Sequence, residues 1–196
     1  MSTVDVCGIE LADEEPKPVV FVTVGTTYHL FDRLMDWLEA WLSQHPDTVR
    51  MVVQRGPSRP IEGAETFDMC SHDELLAVIR RSEIVIAQGG PGGIMDSRNC
   101  GIMPIVVPRL PQFHEVVDDH QLRFCHHMAR EGLVQLATDQ DGLHQQLDAA
   151  LLEPQSVKVE DDDSHVALAV DKAGALIEQL VGARPPRRRG RRGRAQ

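Results

Sequence analysis

A short apolar run, Glu83-Ile84-Val85-Ile86-Ala87, enters a turn of four glycines around one proline, Gln88-Gly89-Gly90-Pro91-Gly92-Gly93, and a helix-like stretch from Ile94 follows at once. An unbroken apolar run this short suits a strand buried on both faces, which is the habit of a parallel sheet covered by helices. The same strand-to-helix alternation recurs along the chain, so the expected fold class is α/β: a Rossmann-like parallel sheet with helices on both faces. Six strands are expected, at 19–25, 48–54, 65–69, 83–87, 103–108 and 133–137. Between them fall helices at about 30–44, from Ser71 to near 81, 94–100, 116–131 and 140–152. Ser71 with Glu74 three residues on has the form of a capping box. At 196 residues and 42% hydrophobic composition, the chain can bury the core of one such domain.

The ends differ from this body. Residues 1–18 are acidic and irregular and are expected to be disordered outside the fold. Residues 19–152 form the expected Rossmann-like domain, and 153–183 an acidic linker with a helix near 165–181. Residues 184–196 hold seven arginines and no acid, so a disordered tail is expected there. The net charge of −10 thus conceals a body, residues 1–183, with 13 basic against 30 acidic side chains, about −17. Such a body repels nucleic acid, and no specific nucleic acid is expected as a partner. The tail is suited to sequence-independent contact with nucleic acid, to an anionic lipid, to an acidic partner surface or to the body itself. No run approaches the roughly 20 apolar residues that span a bilayer, nothing resembles a signal peptide, and a cytoplasmic location is expected. Cys7, Cys70, Cys100 and Cys125 contain no CxxC pair, which argues for reduced thiols.

In sheets of this class ligands gather at the carboxyl ends of the strands. Glycines let main chain approach a ligand, and the N–H groups and dipole of the helix that follows favour an anion. Gln88 to Gly93 is therefore read as a phosphate turn, with Gly25-Thr26-Thr27 after the first strand as its neighbour. The spacing fits neither GxGxxG nor a Walker A loop, which disfavours dinucleotides and ATP. The loop from Arg109 to Gln121 is rich in carboxylates and amides suited to sugar hydroxyls. His114, His120, His126 and His127 show no metal-ligand spacing, so no metal is expected.

Taken in order, VFVTVGTT, Phe31-Asp32-Arg33-Leu34, SHDELL, GGPGGIMDSR, PIVVPR and EVVDDHQ resemble the C-terminal half of glycosyltransferase family 28 over about residues 19–150. The chain is similar in particular to the small donor-binding subunits of two-part transferases of N-acetylglucosamine and of exopolysaccharide synthesis. What the resemblance implies is the donor half of a GT-B fold, with a UDP-sugar as donor substrate and no cofactor. Gly25, Thr26, Gly89, Gly90 and Gly92 would lie against the diphosphate, with Thr27, Gln88 and Arg109 within reach. Glu115 would meet the ribose, and Asp119, His120 and Gln121 the sugar or its phosphate. No catalytic residue is named beyond His120 as a candidate. Many relatives carry His where this chain has Gln88, which cannot become cationic or relay a proton. The resemblance further implies a membrane-attached, acceptor-binding partner, which would hold the chain peripherally at the inner face of the membrane, and a polyprenyl-linked or polysaccharide acceptor. A non-catalytic nucleotide-sugar-binding module is the alternative.

Overall fold

The computed structural model describes residues 3–12 and 16–159. Within them, β1 (Thr3–Val6) and β2 (Ile9–Ala12) form an antiparallel hairpin of their own. The domain then runs β3 (Val19–Thr23), α1 (Asp32–Gln44), β4 (Arg50–Gln54), β5 (Glu65–Phe67), α2 (His72–Ile79), β6 (Ile84–Gln88), α3 (Pro91–Asn99), β7 (Ile105–Val107), α4 (His120–Arg130), β8 (Gln135–Leu136) and α5 (Gln140–Leu152). The main sheet is parallel throughout, in the order β5-β4-β3-β6-β7-β8. From β3 the chain winds outward to β5, then returns to place β6 on the other side of β3. That reversal between β3 and β6 opens a crevice at their carboxyl ends, the place where ligands bind in doubly wound sheets.

Alternation along each strand sorts the core into two faces. Val20, Val22, Met51, Val53, Ile84, Ile86, Ile105 and Val107 pack with Leu34, Leu38 and Trp41 of α1 and Leu143 and Leu147 of α5. Val19, Phe21, Val52 and Val85 point the other way, against Val78 and Ile79 of α2. Burial on both faces is why these strands read as apolar runs rather than as alternating ones. The capping box forms as the sequence predicts: Ser71 Oγ accepts from the Glu74 N–H at 3.3 Å, and Glu74 Oε2 accepts from the Ser71 N–H at 2.8 Å.

The structure departs from the sequence reading in several places. The expected disordered segment 1–18 contains the β1–β2 hairpin, whose Val6, Ile9 and Leu11 are buried in the same core face as α2. Cys7 and Gly8 turn it with φ of 52° and 84°, the pair of positive values that a two-residue hairpin turn needs. The expected glycine loop is shorter, because α3 starts at Pro91. Gly90 is its N-cap and proline takes the first helical position, where its missing N–H costs nothing. Helix α4 opens at His120, four residues later than expected, after a single 3-10 turn over Pro111–Phe113. The start of the expected acidic linker packs on the domain: Val157 is buried, and its carbonyl accepts from the Met103 N–H at 2.8 Å. The expected helix near 165–181 and the arginine tail lie outside the described residues.

Candidate functional site

At the crevice between β3 and β6 the structure has a cleft of about 340 Å³. Gly25 and Thr26 form one wall, Gln88, Gly90, Gly92 and Gly93 another, and Gln54, Cys70, Ser71, His72 and Asp96 complete it from β4, the β5–α2 loop, the start of α2 and α3. No side chain caps the start of α3, so its first amide groups face the cleft without an internal acceptor.

The glycines here have different reasons for being glycine. A Cβ on Gly89 would lie 2.2 Å from Cys125 Sγ, so this position is reserved for the packing of α4. One on Gly25, whose φ is 73°, would lie 2.0 Å from Gln88 Nε2. Gly92, by contrast, faces open space, and its missing side chain leaves room at the helix start for a ligand. Thr26 is exposed at the cleft, whereas Thr27 turns back, its Oγ 3.5 Å from the His29 N–H.

Arg109 stands behind this turn and is only 1% exposed. Its Nε donates to Gln88 Oε1 at 2.7 Å, its Nη1 to the carbonyls of His29 and Leu30 at 3.0 and 2.9 Å, and its Nη2 to the Val24 carbonyl at 3.0 Å. The guanidinium lies over Phe31 at 4.5 Å. Burial lowers its pKa to about 10, with nearby Glu115 opposing the shift, and it remains a cation at neutral pH. Its main-chain N–H is taken by Gln121 Oε1 at 2.8 Å.

Glu115 is likewise buried. It is 3% exposed, and Arg33 grips both oxygens, Nε to Oε1 at 2.9 Å and Nη2 to Oε2 at 2.8 Å, while the Leu110 N–H adds a third bond at 2.9 Å. A carboxylate so held fastens the 109–121 loop to α1. Asp119 pairs with Arg123 at 3.0 Å, and His120 with Asp118 at 3.0 Å, both on the exposed start of α4. Of the residues expected at the site, the structure gathers Gly25, Thr26, Gln88, Gly90 and Gly92 along the cleft, and Gly89, Arg109, Glu115 and Gln121 behind it.

Asp96 and His72 are cleft residues that the sequence reading did not single out. His72 Nε2 lies 3.1 Å from Asp96 Oδ1, across the gap between α2 and α3. Two signals could have found them: Asp96 lies less than two helical turns after Gly90, and His72 opens the helix that the capping box announces. Both are therefore held near the carboxyl end of the sheet.

A model of the glycosyltransferase family 28 C-terminal domain matches residues 19–178. The chain belongs to this family. Among solved structures, the family 28 domain resembles the glycotransferase of kitacinnamycin, with 16% identity and a TM-score of 0.55 over 73% of this chain and 38% of that one. It also resembles MurG of Acinetobacter baumannii, with 17% identity and a TM-score of 0.51 over 82% of this chain and 51% of that one. The solution structure of ALG13 gives 19% identity and a TM-score of 0.49 over 74% of this chain and 89% of that one. No curated protein sequence matches the chain. The first two likenesses are likenesses of fold, the Rossmann-like architecture of GT-B proteins, and the chain spans about four-tenths to half of those two proteins. No helix among the described residues is long and apolar enough to cross a membrane.

Proposed function

We propose that this family 28 domain binds the donor, a UDP-sugar, in the cleft between β3 and β6, and acts as the donor half of a two-part transferase. The observation that carries this reading is the uncapped start of α3, with Gly92 open beside it, facing the Gly25 turn across the cleft. An anionic diphosphate there meets free N–H groups and the positive end of the helix. The same groups stabilise the charge that UDP acquires as it leaves, without any metal ion. No cofactor is needed for that chemistry.

The ribose is better served by Asp96 than by Glu115. Asp96 lines the cleft with one oxygen turned to His72, whereas Glu115 is buried and fully engaged by Arg33 and Leu110. A carboxylate accepts readily from vicinal hydroxyls. The part-buried Asp119 and the exposed His120, at the start of α4, would be left for the sugar, with Gln121 held by the Arg109 N–H behind them.

Transfer also needs a base for the acceptor hydroxyl and a second wall to exclude water. His120, paired with Asp118 on an exposed helix start, has no enclosure of its own. A separate, membrane-attached partner would supply both, together with the site for a polyprenyl-linked or polysaccharide acceptor. Titration with UDP, UDP-N-acetylglucosamine, UDP-glucose, ADP and NAD by calorimetry tests the donor assignment. Uridine-selective binding is expected; equal or absent binding of all five overturns it. A robust transferase rate from the purified chain alone would remove the need for a partner, and donor binding with no transfer beside any partner would favour the non-catalytic module.

A further inference from the structure

Gln88 occupies the centre of the cleft, between the Gly25 turn and the N-cap of α3. Its amide has one acceptor and one donor end, and which end faces a ligand decides whether an anion is welcomed or repelled. The neighbouring chemistry settles this. A guanidinium has no acceptor, so the Gln88 atom 2.7 Å from Arg109 Nε must be the oxygen. The NH2 group is thereby turned the other way, into the space bounded by the glycines. Cβ atoms built on Gly25 and Gly90 would meet Nε2 at 2.0 and 3.2 Å, and this nitrogen donates to no acceptor among the described residues. Arg109 cannot turn away to release the amide. Its remaining N–H groups hold the carbonyls of Val24, His29 and Leu30, and its plane rests on Phe31.

From this geometry we infer that Arg109 is a positioning residue: it locks Gln88 with its NH2 facing the cleft, so that a neutral side chain serves as a fixed donor to the diphosphate. The inference rests on the donor-binding reading above. It gives the buried arginine a role without contact to the ligand and accounts for how a residue that cannot be protonated serves in a phosphate site. Gly25 then has a function beyond its backbone angle, since a side chain there would occupy the place of that NH2 group.

The test compares two near-isosteric replacements. In Gln88→Glu one carboxylate oxygen keeps the Arg109 bond and the other replaces the donor with a negative acceptor. UDP affinity is expected to fall at least about 10-fold, because hydrogen bonds to charged groups are among the stronger ones. Uridine, which lacks the diphosphate, should bind as before in a chemical-shift titration. In Gln88→His one ring nitrogen can accept from Arg109 and the other donate, and UDP affinity should stay within about 3-fold of the parent. The side-chain amide signals of Gln88 in the parent should shift on adding UDP and not on adding uridine. Arg109→Lys, which keeps a cation and loses the fork, should weaken UDP and leave uridine unchanged; if this variant fails to fold, the two Gln88 variants decide. UDP binding by Gln88→Glu equal to the parent, or by Gln88→His as weak as Gln88→Glu, overturns the inference and leaves the donor site standing. A parent protein that binds no UDP overturns the donor reading and the inference with it.

Discussion

The two ends of the parallel sheet carry very different cavities. At the amino ends, a groove of about 720 Å³ runs between Lys17, Leu42, His45, Val49, Arg50, Met51 and Glu65, twice the size of the cleft at the carboxyl ends. Its lysine and its arginine are both paired: Lys17 with Asp47 at 3.0 Å, and Arg50 with Glu65 at 2.7 Å. The smaller cleft instead presents donors with no internal acceptor, at the start of α3 and on Gln88. The proposed donor site is therefore distinguished by its unanswered polar groups and not by its size, and their direction follows from strand polarity, since helix starts gather at the carboxyl ends of parallel strands.

The largest effect should come from Gly90→Asp. Its backbone, with φ −81° and ψ 138°, suits aspartate at an N-cap, so thermal stability should hold or rise, while a carboxylate in the phosphate position should reduce UDP affinity by about 100-fold or more. Calorimetry paired with a melting curve separates the two, and undiminished UDP binding would show that the carboxyl-end cleft is not the site. Asp96→Ala should weaken UDP by about 10-fold through loss of a charge-assisted hydrogen bond, and should erase the preference for UDP over its 2′-deoxy form. A retained preference would return the ribose to another residue.

Gly89→Ala tests packing rather than binding. With Cys125 Sγ 2.2 Å from the new Cβ, α4 must shift, and a loss of about 1–3 kcal/mol is expected in denaturant unfolding. A variant as stable as the parent would show that α4 yields easily. The smallest effect is expected at the amino-end groove. Lys17→Ala removes an exposed pair, so stability should change by less than about 1 kcal/mol, and UDP affinity should not move. A clear drop in UDP affinity there would collapse the contrast between the two ends.

Much of this could be read in the order of the residues, and what could not has a physical cause. The four inner strands β4, β3, β6 and β7 are legible because burial on both faces leaves apolar runs, and the Ser71 capping box is a purely local device. The β1–β2 hairpin was hidden by its acids: Val4 and Val6 alternate with polar residues, as do Ile9 and Leu11, around a Cys-Gly turn that lacks the usual Asn or Asp. The sequence pattern starts α3 late because glycines disfavour helix, while an N-cap glycine and a first-turn proline favour its start. Arg109 and Glu115 belonged to a polar loop in the sequence and were expected to meet ligand. Their burial depends on Arg33 and the carbonyls of residues 24 to 30, some 80 positions away, which local pattern does not reveal.

Both outermost strands of the main sheet are very short, three residues in β5 and two in β8. Strands this brief offer few backbone groups for a foreign chain to pair with, a common protection against edge-to-edge aggregation. Assembly by adding a strand to this sheet is correspondingly disfavoured, and the partner proposed above would have helix faces and loops as its footholds.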